Sequence, residues 1–281
     1  MNEPLPSTSD AVGTDDAPEV ATGPSAISVE NVSASYRVRM EARASRLSWT
    51  AGLSGMLGMG GSMRLVPALR GVSVEIPRGE VVGVVGRNGA GKSTLLRTMA
   101  GIIPPTEGRI IVRGQVSALL SPAFGFDRGL TGRANIELGA LAMGFPDARV
   151  NELSDSIAEF AQLGEYLDLP MRGYSTGMST RLGFAVAVHL DPEILLIDEA
   201  LAGGDSKFKE RVAHKMAELC GGGRTIVIVS HGLAALREMA SKVLWLHQGQ
   251  IVDYGEPMEI VGAYKRFCKL QDLEDETLSD D

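Results

Sequence analysis

Cysteine is scarce. Cys220 and Cys268 are the only two in 281 residues, and they lie far apart in the chain. That excludes a disulfide framework or a cysteine-built metal cluster and fits a reducing compartment. Long apolar runs are also missing. No stretch of about 18 or more uninterrupted apolar residues occurs, so no helix is expected to span a membrane. The N-terminus has acidic residues and no basic ones before its first apolar run, unlike a secretory signal. No internal repeat is evident.

Lys and Arg are absent from both ends. Residues 1–25 carry Glu3, Asp10, Asp15, Asp16 and Glu19, and residues 270–281 carry Asp272, Glu274, Asp275, Glu276, Asp280 and Asp281. The formal net charge of −8 arises there. Without these eleven acids, 24 of the 35 remain against 27 Lys and Arg, so the body of the chain is mildly basic. So small an excess does not choose between nucleic acid and anionic lipid. Residues 1–25, rich in Pro, Ser, Thr, Asp and Ala, are expected to form a disordered acidic tail, and 266–281 a second acidic tail. An apolar fraction of 44% supports a substantial core between them.

What is present is organised around Gly86–Thr94, GRNGAGKST, which fits the phosphate-loop pattern G-x-x-x-x-G-K-[S/T]. The apolar run Val81–Val85 precedes it and the helix-forming run Lys92–Ala100 follows, the strand–loop–helix setting the motif requires. Gly86, Gly89 and Gly91 allow a tight bend, so that backbone N–H groups along Gly86, Arg87, Asn88, Gly89, Ala90 and Gly91 point at phosphates. The helix adds its positive end. Lys92 places a charge on the β- and γ-phosphates of a nucleotide, and the Ser93 hydroxyl suits Mg²⁺.

Taken in order, Ile27–Tyr36 reads as a strand. Tyr36 at its end either packs or stacks on a base. Residues 37–64 form an insertion with Arg37, Arg39, Arg43, Arg46 and Arg64 against Glu41 alone, with Met40, Ala44, Leu47 and Ala51 at helical spacing and with Trp49 among further apolar residues. It reads as an interfacial helix or as a helix covering the domain's own core. Strand patterning resumes at Leu69–Ile76. Arg109–Leu120 is strand-like with a Gly turn. Ser121–Asn135 is a loop, and residues 135–167 are helical by period with a break at Gly144–Pro146. In Tyr174–Met178, YSTGM, Ser175 or Thr176 sits at a helix N-cap position. Glu193–Ile197 is an apolar strand ending in Asp198 and Glu199, where an Asp suits Mg²⁺ and a Glu can polarise water. Thr225–Val229 is a second buried strand, ending at Ser230–His231. Val243–Asp253 reads as a hairpin turning at Gln248–Gly249, and Met258–Lys269 as a closing helix.

The phosphate loop, YSTGM, ILLIDE and the strand ending in His231 stand in the order and spacing of the nucleotide-binding subunit of ABC transporters, which residues 26–265 resemble. The resemblance implies an α/β P-loop NTPase fold of the ABC ATPase type, with a mixed sheet core, an antiparallel β part, and loop and helical subdomain over 121–175. It implies ATP and Mg²⁺ as cofactors. Lys92, Ser93 and Thr94 belong to the first nucleotide motif. Asp198 holds Mg²⁺, Glu199 is the catalytic carboxylate, His231 contacts the γ-phosphate and Asp205 lies in the loop that crosses a dimer interface. Tyr36 falls where the family stacks an aromatic on adenine. Ser175 and Gly177 match the signature that closes over the partner subunit's ATP in a head-to-tail homodimer. Three departures stand out: YSTGM in place of LSGGQ, Thr176 in place of a glycine, and Ser121 or Pro122 where the family has a Gln.

These departures, LTGRANI and the basic insertion resemble the subfamily that exports lipid-linked polysaccharide, such as O-antigen, teichoic acid or cell-wall galactan. That implies a peripheral subunit on the cytoplasmic face of the membrane, bound to an integral membrane permease through residues near 121–135, with a lipid-linked glycan as cargo and no nucleic acid. The alternatives are an ABC ATPase energising another transporter, a soluble ABC ATPase acting without a membrane partner, and a phosphate-loop kinase or non-hydrolysing nucleotide module.

Overall fold

The structure is a computed structural model that describes residues 25–39, 63–120, 125–142, 147–198, 206–230 and 232–279. Two sheets form its centre. Strands β1 (Ile27–Arg39), β2 (Met63–Ile76) and β4 (Glu107–Val112) make an antiparallel sheet in the order β2-β1-β4. Strands β3 (Val81–Val85), β5 (Val116–Leu119), β6 (Ile194–Asp198), β7 (Thr225–Val229), β8 (Lys242–His247) and β9 (Gln250–Gly255) make a second sheet in the order β5-β6-β7-β3-β8-β9. It is parallel except for the β8–β9 hairpin. The fold is therefore α/β with a mixed sheet and an antiparallel part, as the sequence implied.

The apolar runs of the second sheet follow from burial on both faces. Along each strand the side chains alternate between two cores. Val82, Val84, Ile194, Leu196, Val227, Val229, Leu244 and Leu246 face the antiparallel sheet and helix α1 (Lys92–Met99). Val81, Val85, Leu195, Ile197, Ile226, Ile228, Val243 and Trp245 face the opposite layer. That layer contains α4 (Thr176–His189), α5 (Ser206–Gly221), α6 (Leu233–Met239) and α7 (Pro257–Ser279). A third core joins α4 to α2 (Gly132–Ala142) and α3 (Asp147–Ala161) through Ile136, Ile157 and Leu182. No helix among the described residues is long and apolar enough to cross a membrane.

Four sequence readings change. The strand expected over Ile27–Tyr36 continues to Arg39, and β2 begins at Met63, so Arg37, Arg39 and Arg64 lie on a β-ribbon rather than in a helical insertion. Residues 40–62, which carry Arg43, Arg46 and Trp49, lie outside the described residues. Arg109–Leu120 is two strands in different sheets, separated by Gly114 at φ 142. The closing helix runs from Pro257 to Ser279, well into the residues read as an acidic tail. Its first half is fixed by packing, and its continuation includes Leu270, Gln271, Leu273, Glu274 and Glu276, which are good helix formers.

Candidate functional site

Because β3, β6 and β7 are parallel, their carboxyl ends share one edge of the sheet. Gly86 begins the loop at the end of β3, and Asp198 ends β6. Alternation along β6 puts Asp198 on the side of Ile194 and Leu196, which is the side of α1. The result is an open cleft of about 330 Å³, lined by Asn88 to Thr94 on one side, Tyr36 with Val66 and Pro67 on another, and Asp198 at the floor.

The loop is held from below. The Gly249 N–H donates to the Ala90 carbonyl at 2.9 Å, and the Arg70 N–H donates to the Gly249 carbonyl at 2.9 Å. The turn of the β8–β9 hairpin thus buttresses the loop, with Gln248 at φ 47 and Gly249 at φ 80 giving the mirror-image turn that hairpins favour. Sequence reasoning found that turn as a hairpin signal only. Its role under the loop depends on a pairing between distant segments that no local pattern records.

The charges of the cleft suit a phosphate. Lys92 is buried, and its Nζ donates to the carbonyls of Gly86 at 2.7 Å and Arg87 at 3.1 Å. The loop curls around its own cation, as a phosphate-binding loop requires. Helix α1 starts at Gly91 with no side-chain cap, in contrast to α4, where the Ser175 Oγ accepts the Met178 N–H at 3.2 Å. The first-turn donors of α1 are thereby left to a ligand. Tyr36 lies at the rim, its hydroxyl 3.1 Å from the Thr94 Oγ1. Val66 and Pro67 beside it give an apolar wall that the sequence reading did not single out.

Ser93 and Asp198 are the residues that would offer oxygens to a divalent cation. Both line the cleft, and Asp198 is only 9% exposed. Among the described residues neither side chain has a hydrogen-bond or ion-pair partner. A buried carboxylate left in this way is costly unless a cation or water meets it. Two protein oxygens with the rest of the shell from water and phosphate is the coordination Mg²⁺ favours, so the residues fit the ion.

Of the other expected site residues, Ser175 and Gly177 stand at the start of α4 and do not line the cleft of their own chain. Ser175 is the cap of the two residues proposed for it. Tyr174 before it is buried and donates to the Tyr166 carbonyl at 2.6 Å, and burial pushes its phenol up. Glu199, Asp205, His231, Ser121 and Pro122 lie outside the described residues. Downstream of that loop, Asn135 is buried and gathers the segment before α2. Its Nδ2 donates to the carbonyls of Asp127 and Thr131, each at 2.9 Å, and its Oδ1 accepts the Asp127 N–H at 2.8 Å.

A phosphate loop at the carboxyl end of a parallel strand, a carboxylate at the end of a neighbouring strand, an antiparallel sheet on one face and a helical subdomain on the other define an ABC-type ATPase cassette. Comparison with known proteins agrees. Residues 69–202 match the family model for ABC transporters, and this part of the chain belongs to that family. The teichoic acids export ATP-binding protein TagH of Listeria innocua is 44% identical over 202 residues, which cover 72% of this chain and 60% of that protein. The O-antigen export system ATP-binding protein RfbB of Myxococcus xanthus is 41% identical over 210 residues, covering 75% of this chain and 48% of that protein. The chain therefore spans about half to three fifths of the length of these relatives. Among solved structures, the ATP-binding cassette MJ0796, dimeric and bound to ADP and Pi after hydrolysis, superposes with a TM-score of 0.64 at 21% identity, over 82% of this chain and 98% of that one.

Proposed function

We propose that this chain is the ATP-binding and hydrolysing subunit of an ABC exporter that moves a lipid-linked polysaccharide across the cytoplasmic membrane. The observation that carries the ATPase reading is the cleft itself, where an uncapped helix start, the buried Lys92 and the uncommitted oxygens of Ser93 and Asp198 meet below Tyr36. The names of the relatives support the cargo.

In this reading the adenine lies against Tyr36, and the phosphates lie along Gly86 to Thr94. Lys92 exchanges the Gly86 and Arg87 carbonyls for β- and γ-phosphate oxygens. Ser93 and Asp198 would hold Mg²⁺, which neutralises phosphate charge. Glu199 orients the attacking water, and His231 contacts the γ-phosphate. Ser175 and Gly177 close over the ATP of a second copy, and Asp205 lies where the copies cross. The subunit sits at the cytoplasmic face through an integral membrane permease contacted near residues 121–135.

The test is depletion in cells. Lipids extracted after depletion should contain long lipid-linked glycan retained on the cytoplasmic side, and its sugar composition would name the cargo. Impaired growth with no such polymer, while the protein remains at the membrane, would remove the polysaccharide assignment and leave the ATPase reading in place.

A further inference from the structure

One contact ties the phosphate loop to the far end of the chain. Arg87, the second residue of the loop, has a guanidinium nitrogen 3.8 Å from the Asp272 carboxylate on α7. The helix is brought there by its first half. Tyr264 and Phe267 pack on Trp245 with ring centroids 5.8 and 5.2 Å apart, and Phe267 lies 5.0 Å from the His247 ring. Trp245 and His247 belong to β8, and β8 pairs directly with β3, the strand that becomes the loop. The buried Tyr264 phenol, raised chiefly by burial, feels both Arg87 and Asp272. Beyond Asp272 the same helix carries Glu274, Asp275 and Glu276.

A loop built for anions thus has a carboxylate of its own chain, Asp272, at its edge. We infer that Asp272 is a positioning residue for the phosphate loop. It draws the Arg87 side chain toward α7 and sets how strongly the cleft attracts an incoming polyphosphate. The inference rests on the nucleotide reading above and concerns the regulation of that site. An anion entering the loop competes with the Asp272 carboxylate for the same cation, so the effect is electrostatic and is screened by salt.

The experiment uses the full chain and its Asp272→Asn, Asp272→Glu, Arg87→Gln and Asp272→Asn/Arg87→Gln variants. Calorimetry measures the Kd for ATP and for inorganic tripolyphosphate at low salt and at about 0.5 M salt, where the screening length falls to a few ångströms. Asp272→Asn should bind both ligands about two- to five-fold more tightly at low salt, the range expected of an exposed charge pair. The gain should vanish at high salt and be absent when Arg87 is Gln, and Asp272→Glu should restore the parent affinity. Because tripolyphosphate has no base, an equal gain for both ligands locates the effect at the phosphates. Equal affinities of the parent and Asp272→Asn, or a gain that persists without Arg87, would overturn the inference alone. Failure of the parent chain to bind either ligand would overturn the nucleotide reading, and this inference with it.

Discussion

A methyl group on Gly86 would lie 2.3 Å from the Leu246 carbonyl oxygen, and one on Gly91 would lie 2.5 Å from that of Ala68. Both neighbours are backbone and cannot swing away. Gly89, between them at φ 80, has nothing within 4 Å of that position. All three were marked in the sequence as bends that glycine permits, and the dihedrals of 156°, 80° and 104° agree. What the sequence did not reveal is that two of them also make room for strands folded against the loop, because Leu246 and Ala68 come from distant parts of the chain. Gly89→Ala should therefore cost about 1–2 kcal/mol, the price of a left-handed backbone. Gly86→Ala and Gly91→Ala should cost at least ~1–3 kcal/mol beyond that, since backbone must shift as well. Urea unfolding of the three variants at a common m value measures the difference. Equal losses at all three positions would show that close approach contributes nothing.

Among the elements, the helix after the phosphate loop and the helix after Ser175 begin differently. The α4 helix is capped by Ser175, and α1 has no side-chain cap. Ser175→Ala should cost about 1 kcal/mol of stability, whereas Ser175→Asn keeps a capping oxygen and should cost little. If Ser175 also reaches a nucleotide held by a second copy, Ser175→Asn should lower ATP hydrolysis markedly while unfolding in urea like the parent. Full hydrolysis by that variant would leave Ser175 as a cap and nothing more. Elements of this kind were legible because each carries its cause locally. Val81–Val85 and Thr225–Val229 read as strands since both faces are buried, and YSTGM read as a helix start since a hydroxyl precedes the helical run. The division of Arg109–Leu120 between two sheets was not legible, because β4 is drawn to β1 and β5 to β6 by residues far from either. The same holds for the ribbon through Arg37 and Arg64: its exposed Val38, Met63 and Leu65 are held in strands by pairing across the chain, and local periodicity carries no trace of that.

For the whole molecule, the separation of the motifs matters more than any one of them. The cleft gathers Tyr36, the phosphate loop and Asp198, yet Ser175 and Gly177 are not among its walls. Among the described residues the site is open and Ser175 and Gly177 lie apart from it; a second copy related by a two-fold axis would supply the same surface twice, closing two equivalent sites at once. In the proposed dimer, nucleotide bound between two copies would stabilise the closed state by mass action, and its loss would release them. The proposed step that ends ATP's hold is hydrolysis, and its proposed agent is Glu199, which follows directly on Asp198. Glu199→Gln keeps size and hydrogen bonding but gives up the carboxylate that orients water, so it should bind ATP normally and then fail to turn it over. Light scattering coupled to size exclusion should show this variant as a lasting dimer in ATP and Mg²⁺, as a monomer in ADP, and the parent chain as a dimer only transiently. Adding Ser175→Asn to Glu199→Gln should weaken that dimer, because the signature contact is lost at both sites together. A Glu199→Gln chain that saturates with ATP and remains monomeric would break the link between nucleotide and dimer, and would place the work of this cassette in a single copy.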